Sequence, residues 1–196
     1  MNDDIQRKIA ELELSAEDSD LLHKICLLSD SLLDAERATL AKGEMVQLSY
    51  FFIPRSGKIV VFSPHISLIG MPKMDIEEEK DFIAIAIRNM TRQLNSVAVI
   101  AICESWFLNK KNITPAEMEF IEEHGVREHP ESVDAIFCGI DFNVRGEGQH
   151  IGLAYKIEGK EGTHRTVGLL EVFPSSPGGS VTGRMVIEPE YLTPLT

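Results

Sequence analysis

The chain has 196 residues, 43% of them hydrophobic and 26% charged, with a formal net charge of −12 at pH 7. This size and balance fit one globular domain, residues 1–196, and exclude a disordered or fibrous chain. The acidic excess excludes non-specific binding of DNA, RNA or acidic lipid through the whole surface, and no basic cluster exceeds Lys110-Lys111.

The first segments read as helices, spanning about residues 5–42. Ile5, Ile9 and Leu12 give a short helical pattern, and Ser15 then offers an N-cap with Asp18 three positions on. From Ala16 to Ala41, Leu21, Ile25, Leu28, Leu32 and Ala35 form a stripe, widened by Leu22, Leu27, Leu33 and Leu40, until Gly43 stops the helix. The stripe suits packing on a sheet, with a dimer seam as its alternative use. Two strands, Met45–Ile53 and Lys58–Ser63, make a hairpin around Pro54-Arg55-Ser56-Gly57. The segment SPHISLIGMPKM reads as a loop packed by its own Ile66, Leu68 and Ile69.

Asp75–Asn95 opens with acids and closes with Arg88 and Arg92, as the helix dipole favours, and Asn95 suits a left-handed cap. Its expected buried face is Phe82, Ile83, Ala86, Ile87, Met90 and Leu94. Ser96–Leu108 follows directly. It is apolar on both alternating faces, so it belongs at the middle of a sheet covered on both sides. Asn109–Asn112 reads as a polar turn. Thr114-Pro115-Ala116-Glu117 combines an N-cap, Pro at the first helical position and Glu at the third, which predicts a helix to Gly125 with Met118, Phe120 and Ile121 inward. Strands Val133–Val144, Gln149–Glu158, Thr163–Phe173 and Arg184–Ile187 complete the chain, joined through Arg145–Gly148, Gly159–Gly162 and the loop Pro174–Gly183. This order lacks the strict alternation of a doubly wound fold. The fold class is therefore α+β: a central antiparallel or mixed sheet of about six to seven strands, helices mainly on one face, and an N-terminal helical segment.

Glu104 is the residue out of place, because an ionised carboxylate inside an apolar central strand needs a partner. Two readings stand. Glu104 is a functional carboxylate with the Trp106 ring shaping a pocket, or it pairs structurally with Arg88, Arg127 or backbone amides. With Asp134 and Asp141 it would make an acidic magnesium site, as a metal-dependent hydrolase or nuclease needs. Asp134 and Asp141 are seven apart, however, so a regular strand sends them to opposite faces. Glu158-Gly159-Lys160 has the acid-x-lysine spacing of a restriction-type nuclease but falls in a turn. Trp106 and His129 are the candidate ligand-binding residues. The six histidines show no paired ligand spacing, so no metal is assigned, and no glycine-rich motif follows a strand, so no cofactor is assigned. Cys26, Cys103 and Cys138 lie in apolar runs without C-x-x-C spacing and read as buried free thiols of a reducing compartment. With no signal-peptide pattern and no apolar run near the roughly 18 residues of a membrane span, the expected location is cytoplasmic and no membrane partner is expected.

Glu104-Ser105-Trp106 at a strand end, then a spacer, then His129-Pro130 to Asp134 and an apolar strand, resembles a family of small uncharacterised proteins from bacteria and their phages. The resemblance covers about residues 45–145 and implies no activity. The function expected from the sequence is a non-enzymatic interaction or regulatory domain that self-associates, through the long N-terminal helix or an exposed sheet edge. The metal-dependent hydrolase or nuclease around Glu104 is the alternative.

Overall fold

The computed structural model describes residues 3–67, 69, 75–108, 113–159, 162–173 and 187–196. In chain order the helices are α1 (Asp3–Glu11), α2 (Ala16–Ala41), the single turn α3 (Pro64–Ser67), α4 (Ile76–Gln93) and α5 (Pro115–His124). The strands are β1 (Ser49–Pro54), β2 (Val60–Phe62), β3 (Ser96–Phe107), β4 (Val133–Val144), β5 (Glu147–Glu158) and β6 (Thr166–Phe173). They form one six-stranded sheet in the order β2-β1-β3-β4-β5-β6, with every pair antiparallel. Neighbours in sequence are neighbours in space except where β3 adds beside β1, which brings α4 over the sheet.

The strand around which the sheet is built is β3. Val97, Ala98, Val99, Ile100 and Ile102 are each at most 1% exposed, because both faces are covered. On one face α1 and α2 lay Ile9, Leu22, Ile25, Cys26, Leu33 and Leu40 over Ile100, Ile102, Ile136, Cys138, Ile140 and Leu153. On the other, α4 places Ile87, with Ile83, Met90 and Leu94, over Tyr50, Phe52 and Val99, and Ile187 and Leu192 join them. So α1 and α2 share one face as expected, while α4 covers the other.

Ile9 and Leu12 of the first helical segment pack in the core as expected, whereas α2, α4 and α5 differ in detail from their sequence stripes. In α2 the buried line is Asp18, Leu22, Ile25, Cys26, Ser29, Leu33 and Leu40, whereas Leu27 is 51% exposed and Ala35 lies at the surface. The buried face is shifted by about one position from the apolar stripe and includes two polar residues, Asp18 and Ser29, whose side chains are hydrogen-bonded. The Ser29 hydroxyl donates to Cys26 O at 2.7 Å. In α4, Phe82 is 37% exposed and the small Ala84 takes the buried place beside Ile87. In α5 no described residue is buried and Met118 is 45% exposed. Its expected capping box does form, Thr114 and Glu117 bonding each other's backbone N–H. A second such box, between Asp75 and Glu78, opens α4. Ile69 is 76% exposed rather than packed in its loop. Lys160, the turn Asn109–Asn112, the loop Pro174–Gly183 and the expected strand Arg184–Ile187, apart from a buried Ile187, lie outside the described residues.

The chain end is fastened to β3, β4, α2 and α4. Asn143 donates from Nδ2 to Pro189 O at 2.7 Å, Thr193 N–H donates to Ser96 O at 2.8 Å and Leu195 N–H to Asn143 O at 2.8 Å. Arg88 pairs with Glu188, and the Arg92 guanidinium lies 4.8 Å from the Tyr191 ring. The basic end of α4 thus holds this segment as well as complementing the helix dipole. Thr196 N–H reaches Asp18 Oδ2 at 2.6 Å, at the start of α2.

Candidate functional site

Glu104 lies on the α2 face near the end of β3 and is closed off. Its Oε1 accepts from Arg165 Nη2, and its Oε2 accepts from Val46 N–H at 3.2 Å, with the Glu104 N–H returning a bond to Val46 O. The two side chains are 6% and 1% exposed. Arg165 is held in turn by Leu40 O, which accepts from its N–H at 3.1 Å, and by Glu44 O, which accepts from Nη1 at 3.4 Å. Its Nε–H has no hydrogen-bond partner among the described residues. Arg165 arrives because the β5–β6 turn docks on the end of α2. Gly43, at φ 77°, permits that approach, since a Cβ there would stand 2.7 Å from Thr163 O. The structural reading of Glu104 therefore describes its geometry, with Arg165 in place of Arg88 or Arg127.

The other candidate residues do not converge on Glu104. Asp134 pairs with Trp106 across the ladder and stands diagonal to Glu104 on the same face, half-buried. Asp141 pairs with Val99 and points to the α4 face, as the seven-residue spacing required. Trp106 carries the Arg127 guanidinium 4.8 Å from its ring centroid. His129 is 7% exposed; its Nδ1 accepts from Glu131 N–H at 3.2 Å and its ring meets Phe120 edge-on at 5.8 Å. These contacts fasten α5 and the following turn to the sheet end. Among the described residues, no group of three or more His, Cys, Asp or Glu is placed to hold a metal ion.

A different constellation occupies the α4 face. Asp141, 4% exposed, bonds His150 Nδ1 through Oδ1 at 2.7 Å and accepts from Ile187 N–H through Oδ2 at 3.3 Å. The next row of the sheet runs Phe62, Tyr50, Ala101, Gly139, Gly152 from β2 to β5, so its middle has almost no side chains. Rings from beside it reach over this furrow. A Cβ on Gly139 would stand 3.0 Å from His150 Cε1 and from Phe137 Cε1, and one on Gly152 would stand 3.2 Å from His150 Nε2. The Phe137 and His150 rings are inclined by only 13°, with centroids 6.2 Å apart. The Tyr50 hydroxyl is buried in the same region without a hydrogen-bond partner among the described residues. Burial, with the fields of Cys103 and Asp141, pushes its pKa up. Burial and the Glu104 charge push the Cys103 thiol up to about 11.

No family model, curated protein or solved structure matches the chain. The site is therefore argued from its own geometry, and the motif resemblance of residues 104–134 brings no relative with it.

Among the residues of this second cluster, the sequence reading singled out Asp141 alone. Its partner was within reach of simple arithmetic. The β4–β5 turn is Arg145-Gly146, with φ 52° and 94°, and such a two-residue turn sets Asp141 opposite His150. A turn spanning Arg145–Gly148 sets Asp141 opposite Gly152 instead and hides the pair.

Proposed function

We propose that this protein is a non-enzymatic interaction domain that self-associates through its β2 edge. The observation that carries the reading is an apolar, acid-free edge on an acidic protein. Ile59 is 45% and Val61 54% exposed, and residues 56–65 contain no Asp or Glu in a chain of net charge −12. Acidic surface on two copies repels; this segment is free of acids and carries Lys58 as its one full charge, and the backbone groups at the edge of a strand favour a second strand. The outer side of α2 gives less support, since beside Leu27 it carries ion pairs such as Lys24–Asp20 at 2.6 Å. Among the described residues no helix is long and apolar enough to cross a membrane. The hydrolase alternative depends on Glu104 opening to a cation, and its bonds to Arg165 and Val46 leave that reading without support.

Light scattering across a wide concentration range tests the proposal. A dimer is expected, and Val61→Lys, at a side chain already in solvent, should convert it to monomer without loss of folded signal. A wild-type protein that stays monomeric throughout overturns the reading.

A further inference from the structure

The described sheet ends in β2 on one side and β6 on the other. A contact of β2 with β6 of a second copy repeats without end and builds a filament, whereas β2 against its own copy closes at two chains. β6 also carries Glu171, while residues 56–65 hold no acid. The self-association proposed above therefore points to β2 on β2. An antiparallel pair about a two-fold axis normal to the sheet keeps the α2 faces of both copies on one side.

Side-chain direction then sets the register. Phe62 and Val60 pair with Tyr50 and Phe52 and pack with them in the α4 layer. Val61 pairs with Phe51, which packs in the α2 layer, so Val61 stands on the α2 face and alternation puts Ile59 there with it. These two are the exposed ones, at 54% and 45%, next to a half-buried Phe51. Placing Val60 opposite Val60 sets Ile59 of each copy against Val61 of the other, twice over. A slip of one residue sets the α2 face of one strand against the α4 face of the next. Val61 opposite Val61 leaves Ile59 against Ser63, and Ile59 opposite Ile59 leaves Val61 against Gly57. On the α4 face the Val60 register lays Lys58 of one copy beside the half-buried Phe62 ring of the other, its stem on the ring and its ammonium in water.

We infer that two copies join β2 to β2, antiparallel with Val60 opposite Val60, into one continuous sheet. Its seam on the α2 face is an apolar row of Phe51, Val61 and Ile59 from each chain. The contact is small for a protein interface, so the dimer should dissociate on dilution.

Complementary charges test the register. Val61→Lys and Ile59→Glu each change a side chain already in solvent, and each should give monomer by light scattering at a concentration where wild type is dimeric. Mixed in equal amounts, the new cation of one chain stands opposite the new carboxylate of the other. A one-to-one dimer should return, about fivefold tighter than either variant forms alone. In the two other same-face registers these charges are not opposite. A wild type that stays monomeric overturns the self-association itself, and this inference with it. A dimeric wild type whose variants stay monomeric when mixed, or a dimer that ignores Ile59→Glu, overturns the register alone.

Discussion

Two carboxylates occupy neighbouring central strands and face opposite sides of the same sheet. Glu104 meets a guanidinium and a backbone N–H and is sealed, its partner Arg165 only 1% exposed. Asp141 meets an imidazole whose side chain is 13% exposed and whose Cε1 and Nε2 reach over the row of Gly139 and Gly152. Burial of an acid is thus a poor sign of a site. Both acids need compensation for lost hydration, and a partner that is itself buried completes the arrangement. The imidazole is held by Asp141 and keeps some exposure to solvent, whereas the guanidinium does not.

The largest effect that would break this contrast lies at the sealed pair. Arg165→Met should lower stability by about 3–5 kcal/mol, because Glu104 is left charged and buried without its cation. Adding Glu104→Met should restore most of the loss, since an apolar pair suits that layer. Urea unfolding of both variants measures this, and a loss under about 1 kcal/mol in Arg165→Met would mean Glu104 reaches water.

A third buried carboxylate, Asp18, sharpens the comparison through pH. It is 1% exposed and accepts from Arg55 Nη1 at 2.5 Å and from Thr196 N–H at 2.6 Å, but Arg55 is 38% exposed. The Arg55 hydrogen bond holds the Asp18 carboxyl below its ordinary value, against the opposing effect of burial. A depressed folded pKa contributes stability that is fully present above the unfolded value of about 4 and is lost as pH falls through the lower folded value. Wild type should therefore exceed Asp18→Asn by about 1–2 kcal/mol at neutral pH, a figure reduced for the solvent around Arg55, and the gap should close in acid. Urea unfolding at a series of pH values follows it, and a gap that widens in acid contradicts the assignment.

The smallest effect is expected at Asp141. Asp141→Asn keeps an oxygen acceptor for one of its two partners, so about 1 kcal/mol should be lost. The Ile187 amide and the His150 ring should then show altered signals in NMR spectra while those around Arg165 stay fixed. Changes spread over both faces would show that the two pairs are not independent.

Much of the architecture was legible along the chain. Thr114 and Glu117 form the box their spacing predicted, Asn95 takes φ 49°, and α2 runs from Ala16 to Ala41 as its cap and closing glycine indicate. These features depend on atoms within four residues of one another. The errors fall where a helix face was assigned from apolarity alone, as at Phe82 and Met118, because which side turns inward depends on what the sheet offers beneath. The turn at Arg145 misled for another reason. A non-glycine residue holds a left-handed conformation there, supported by Arg145 N–H to Leu195 O and Gly146 N–H to Asn143 Oδ1.

By itself the sequence determined the α+β class, the two-sided burial of β3 and the demand that Glu104 find a cation or an N–H. Alternation, capping and the cost of a dry carboxylate are local or one-body properties, and they can be read without a partner in view. Only the tertiary structure decided that the cation is Arg165, 61 residues away, and that Asp141 holds an imidazole reaching over two glycines. Such pairings depend on sheet register and on how a hairpin end meets a helix end, and those are set by the packing of the whole molecule.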